Sequence, residues 1–147
     1  MDRAGWIGLF TRIHDGDDEG EAYHGPATRT ILAGIDDATA SARPIPGGHT
    51  IAEIVQHVLA WREMVADGLA GAPREVGEDD GWRPAEKPWP DLVARLAANQ
   101  RALLDRLASA PEERLARHAA RLRFLVHHEL HHMGQVALLR RAGKDRT

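Results

Sequence analysis

From about Arg121 to Arg141 the chain repeats apolar residues at three- and four-residue steps: Leu122, Leu125, Val126, Met133, Val136 and Leu139. That spacing predicts one long amphipathic helix. A helix with a single apolar stripe must bury it, so the segment commits the chain to a fold of packed helices. The same stretch carries His127-His128-Glu129-Leu130-His131-His132, four of the nine histidines within six residues. Residues four apart lie one above the other on a helix. His128 and His132 therefore project together, on the face that also carries Leu125, Val136 and Leu139. Two imidazoles at this spacing hold a divalent metal if a third ligand arrives from elsewhere. His127 and His131 have the same spacing but sit about 100° away around the helix, beside Phe124, Gly134 and Leu138. Periodicity favours the 128/132 pair. A plain exposed polar face is the competing reading. An expression tag is not, because Glu, Leu, Met, Gly and Gln interrupt the run within an amphipathic pattern.

Composition narrows the options. The 147 residues suggest one domain, 1–147, able to bury one sizeable core. There is no cysteine, which excludes disulfides, thiolate nucleophiles and Cys-based zinc sites. A metal here must be held by His, Asp or Glu. The net charge of -3 gives no reason to expect nucleic acid as a partner. No apolar run approaches the roughly 20 residues of a membrane span, and no signal peptide is evident, so a cytoplasmic location is expected. Ala, Leu, Arg and Glu outweigh the β-branched and aromatic residues, which leans the chain toward helix.

In chain order, Trp6, Leu9, Phe10 and Ile13 predict a short helix from about Asp2 to His14. A loop follows, and Pro26 then opens a helix expected to run to about Ala38, with Ile31, Leu32 and Ile35 on one face. His24, just ahead of it, reads as a surface residue. Thr50 with Glu53 three residues on forms a capping box for a helix through Ile54, Val58, Val65 and Leu69, ending near Gly71-Ala72-Pro73. His57 lies on or beside its buried stripe. A lone core histidine is usually structural, and His57 becomes a ligand candidate because a second helix carries a matching pair. Residues 73–90 form a long connection with Gly77, Gly81, Trp82 and Trp89, a length that suits a flap. Another helix runs from Pro90 through Leu107. The last begins at Pro111, or after a kink near Arg117, and ends at Ala142-Gly143-Lys144. Four main helices and a short extra N-terminal one imply an all-α helical bundle. One ligand from one helix and a pair from another leave coordination positions open, as in catalytic metal sites.

Two segments resemble the DinB-like superfamily, which includes the YfiT-like metal-dependent hydrolases. Gly48 to Arg62 is similar to the family's capped helix carrying the first His ligand. His128-Glu129-Leu130-His131-His132-Met133-Gly134-Gln135, followed by Leu138-Leu139-Arg140, is similar to its H-x-x-x-H-x-G-Q signature. Tyr23-His24-Gly25-Pro26 resembles a Trp-His-Gly segment of one branch, which makes His24 a candidate for cofactor or ligand binding. The resemblance implies an up-down-down-up four-helix bundle and a divalent metal (nickel, zinc, iron or manganese) on His57, His128 and His132. It implies a homodimer. It implies an enzyme acting on a small molecule, either a hydrolase or a transferase that uses a low-molecular-weight thiol. The stretch before the last helix is short for the family, and Glu129 stands where Asp is common.

His128-Glu129-Leu130-His131-His132 also satisfies H-E-x-x-H, in which the Glu is the base of a zinc protease. The context argues against it. Only 15 residues follow His132, Asp145 is their sole carboxylate, and no strand offers an edge to a peptide. Glu53 and Glu129 stand as candidates for proton transfer or ligand orientation, with a surface salt bridge the plainer reading of Glu129. Trp61 is a candidate for lining the pocket, with a core role as its plainer reading. The alternatives to a metal-dependent enzyme are a non-catalytic metal- or small-ligand-binding bundle and a bundle without metal.

Overall fold

The computed structural model describes residues 1–75, 82–85 and 87–144. Gly77, Gly81 and Asp145 lie outside the described residues, as does much of the proposed flap. Six helices follow in order: α1 (Arg3–His14), α2 (Thr28–Leu32), α3 (Asp37–Ser41), α4 (Ile51–Ala70), α5 (Trp89–Ser109) and α6 (Glu112–Lys144). No strand occurs among the described residues; one bridge, Glu21 to Pro26, closes a loop. No helix among them is long and apolar enough to cross a membrane.

The four long helices make the bundle, and cross-helix pairs fix their directions. Arg3 Nη1 donates to Leu107 O at 2.7 Å and Gln100 Nε2 to Phe10 O at 3.2 Å, so α1 and α5 run antiparallel. Ile51 shares a cluster with Trp89 and Leu92, and Leu69 shares one with Leu103 and Leu107, so α4 and α5 run parallel. His57 meets His128 while Arg114 Nη1 donates to Leu69 O at 3.0 Å, so α4 and α6 are antiparallel. The sequence of directions is up, down, down, up.

The membership of the bundle differs from the sequence expectation. The N-terminal helix is a full member, burying Trp6, Phe10 and Ile13, rather than an addition to it. The helix expected over 26–38 is instead two short helices that bridge α1 to α4. Gly34 breaks it with φ +72°, a conformation that glycine enters without strain. Asp36 then caps α3, accepting from Thr39 N at 2.8 Å. Pro26 precedes the first of these helices instead of opening it. α6 starts directly after Pro111 and continues for 33 residues as one uninterrupted helix.

The capping box of α4 is present. Thr50 Oγ1 accepts from Glu53 N at 3.1 Å, and Glu53 Oε2 accepts from Thr50 N at 2.9 Å. Such a cap stabilises by about 1 kcal/mol, and it places His57 near the start of α4. Gly71 ends the helix with φ +89°.

Two apolar clusters fill the interior. One joins Ile51, Val55, Val58, Trp89, Leu92, Met133 and Val136. The other joins Trp6, Phe10, Val65, Leu69, Leu103, Leu107, Leu122 and Leu125. Between them lies a layer of buried polar side chains: His14, Thr28, Arg62, Asn99, Gln100 and Glu129.

Candidate metal centre

α4 contributes His57, and α6 contributes His128 and His132. One ligand atom from each lies within 4.8 Å of the others. His57 Nε2 and His128 Nε2 are 2.9 Å apart. Metal–nitrogen bonds of about 2.0–2.1 Å put neighbouring ligand atoms roughly 3.0–3.4 Å apart, so the spacing of His57 and His128 suits a shared cation, toward which the third ring would close from within 4.8 Å. His57 and His132 are buried and His128 is partly so, whereas His127 and His131 are exposed. The cluster is the pair that periodicity favoured, joined by the histidine from the capped helix.

The chemical state of the rings suits metal binding. Burial, reinforced by His132 and His57, pushes the His128 pKa down to about 3. Burial also lowers that of His132, against the opposing effect of a hydrogen bond to Gln135. Both rings are thus neutral near pH 7, and a neutral ring has the lone pair that a metal requires. Gln135 Oε1 lies 2.7 Å from His132 Nδ1. A carbonyl oxygen only accepts, so Nδ1 carries the proton and Nε2 is left as the ligand atom. Gln135 Nε2 lies 3.2 Å from His131 Nε2, which completes the amide's pairing. His128 Nδ1 is buried with no hydrogen-bond partner among the described residues.

Aromatic rings enclose the cluster. Trp82 stacks on His57 at 4.0 Å between centroids, and on its other face against His49 at 3.7 Å. The Trp61 ring lies 5.5 Å from His128, and Phe124 5.3 Å from it. Trp61 thus lies beside the cluster while it also packs against the second apolar cluster, the core role that was its plainer reading.

The other candidates fall elsewhere. His24 is exposed and lines a separate groove with Thr28, Leu130 and Gly134. Glu53 has both oxygens engaged, Oε2 by Thr50 N and Oε1 by Arg43. Burial works to raise its pKa, but the Thr50 amide and Arg43 outweigh burial and hold it below the ordinary value. Glu129 is not in a surface salt bridge: it is fully buried. Its Oε2 accepts from Arg62 Nη1, and its Oε1 accepts from Thr28 Oγ1 at 2.8 Å. Burial alone would raise its pKa; Arg62, His14 and Thr28 reverse that and hold it at about 2.

Three contributors escaped the sequence reading. Gln135 was visible in the motif, three residues after His132, but nothing in the sequence gave it a role. Arg62 looks like any solvated arginine until its surroundings are known. Trp82 comes from a connection, where no periodicity aims a side chain.

An all-α bundle with three histidines gathered between two antiparallel helices defines the class. The model of the DinB superfamily matches residues 23–136, a span that includes all three histidines, and the chain belongs to that superfamily. No curated protein and no solved structure gives a match.

Proposed function

We propose that this DinB superfamily protein binds one divalent transition metal on His57, His128 and His132 and is a metal-dependent enzyme of hydrolase or thiol-transferase type. The observation that carries the reading is the convergence of three histidines from two helices, one of them oriented by Gln135. When bound, the ion supplies Lewis-acid chemistry, lowering the pKa of a water or thiol so that it attacks as an anion. The chain's own residues do the rest. The histidines bind through one nitrogen each. Gln135 holds the His132 tautomer. Trp61, Trp82 and Phe124 limit water and shape the approach of a small substrate. Nickel, zinc, iron or manganese all suit imidazole ligands, and superfamily membership supports a low-molecular-weight thiol as co-substrate, a homodimer and a cytoplasmic location.

A second reading is a metal-holding or small-ligand-binding bundle without turnover. It is favoured by the carboxylates: both oxygens of Glu53 and of Glu129 are already engaged, so neither is placed to move a proton at the cluster.

Elemental analysis of untagged protein tests the metal. About one ion per chain, lost in His57→Ala, supports the site; no uptake of zinc, nickel, iron or manganese ends the enzyme and metal-holding readings and leaves only a small-ligand-binding bundle. Azide added to the cobalt(II) form separates them. A shift in the visible spectrum reports an open position and favours the enzyme. An unchanged spectrum favours the closed, non-catalytic site.

A further inference from the structure

The buried polar layer between the two apolar clusters has no part in the metal chemistry, yet it contacts every long helix. Arg62, on α4, is fully buried. Its Nε donates to Asn99 Oδ1 at 2.9 Å, its Nη2 to Gln100 Oε1 on α5, and its Nη1 to Glu129 Oε2 on α6. Gln100 Nε2 passes the connection to α1, donating to Phe10 O at 3.2 Å and to Asp15 Oδ2 at 3.0 Å. Thr28 on α2 donates to Glu129 Oε1, and His14 Nδ1 on α1 lies 3.5 Å from the same oxygen. An arginine and a glutamate buried this deeply are costly. Replacing such a pair by apolar side chains is often neutral or stabilising, so stability alone is a weak account of its presence.

Its position suggests a different role. Glu129 follows His128 directly and precedes His132 by three residues; Arg62 follows His57 by five. One ion pair therefore joins the two helices that carry the ligands. Imidazole nitrogens ride roughly 6 Å from a helix axis, so a rotation of about 10° moves them about 1 Å. Metal–ligand distances tolerate about 0.2 Å. Apolar packing is non-directional and sets rotation only loosely. A guanidinium fork with defined partners sets it tightly.

We infer that Arg62 and Glu129 are positioning residues for the histidine cluster, holding the rotation of α4 and α6 at which His57, His128 and His132 meet one cation. The inference rests on the metal reading above and adds to it that geometry at the cluster is set from the buried layer. It also gives Glu129 a role other than that of a base.

The test uses cobalt(II) with wild-type protein, the double variant Arg62→Met/Glu129→Met, Thr28→Val and His57→Ala. Affinity is read by chelator competition and geometry by the visible absorption of cobalt. The double variant leaves no unpaired buried charge and is expected to fold without metal, melting lower because Asn99, Gln100 and Thr28 lose their partners, and to bind cobalt at least tenfold more weakly with an altered spectrum. A folded double variant with wild-type affinity and spectrum overturns the inference. If the double variant does not fold, Thr28→Val decides, since it removes one hydrogen bond to Glu129 and touches no ligand. A loss of about threefold or more with a changed spectrum supports positioning; wild-type behaviour overturns it. Wild-type protein that takes up no cobalt, like His57→Ala, overturns the metal reading itself, an outcome distinct from the others.

Discussion

Gln135 Oε1 sits 2.7 Å from His132 Nδ1, one turn along the same helix, and so determines which nitrogen of that ring faces the cluster. Partners that orient a metal-binding histidine are worth about 10- to 100-fold in metal affinity. Gln135→Leu is therefore expected to weaken metal binding by that factor. Its effect on folding should be within about 0.5 kcal/mol, as for a partly exposed helix position. Gln135→Glu keeps an acceptor at the same place and should retain affinity. Chelator competition on the three proteins, with melting curves of the metal-free forms, checks both halves.

Acid should unfold this protein through Glu129. Its folded pKa, about 2, is below the ordinary value of 4.5. A carboxylate depressed in the folded state contributes stability fully above its unfolded pKa, and that contribution disappears as pH falls through the folded value. Wild-type melting temperature should thus fall between about pH 4.5 and 2. Glu129→Gln strands the Arg62 charge and should cost about 3–5 kcal/mol at pH 7, but it should flatten the acid limb. A variant as acid-sensitive as wild type would assign the effect to other carboxylates.

Metal uptake should resist moderate acid. Three ordinary imidazoles, each with a pKa near 6.5, would lose roughly fifty-fold in combined availability between pH 7.5 and 6. Two of the three rings here are held below that value, His128 at about 3. The apparent affinity should fall much less over this interval, which titrations at several pH values measure directly. The same depression acts on the metal-free fold with the same sign. Stability supplied by neutral His128 is complete above about 6.5 and is lost as pH falls toward 3.

Tryptophan fluorescence should report loading. Trp82 stacks on His57 and Trp61 lies beside His128, whereas Trp6 and Trp89 belong to the apolar clusters. Nickel(II) or cobalt(II) should quench a large part of the emission and saturate at one ion per chain. Trp82→Leu should remove much of the quenchable signal while leaving the stoichiometry intact. Equal quenching in that variant would place the reporter elsewhere.

The histidine cluster was legible because all three ligands stand on helices, where a spacing of four and an apolar stripe fix direction. His57 gained meaning only from the second helix. The fold class was legible for the same reason, but not the roles of the first two helical stretches. Twelve residues looked too few for a bundle member, although Trp6, Phe10 and Ile13 fill one end of the core. Ile31, Leu32 and Ile35 keep helical spacing across Gly34, so periodicity ran through a real break. Arg62 and Glu129 were opaque because a charge on a helix is solvated by default, and only tertiary partners make its burial tolerable. Trp82 was opaque because nothing local aims a side chain in a connection.

The parallel run of α4 and α5 has a consequence for how such a site diversifies. Two consecutive parallel helices oblige the chain to travel the length of the bundle between them, from Gly71 back to the end where Ile51 and Trp89 meet. The return leg arrives beside His49 and His57, where Trp82 lies against both. The topology thus lets Trp82, a residue outside any helix, cover a histidine of the cluster. The ring that covers His57 and the helices that carry the ligands are thus set by separate parts of the chain, so position 82 can change without altering any of the three histidines or the helices they stand on.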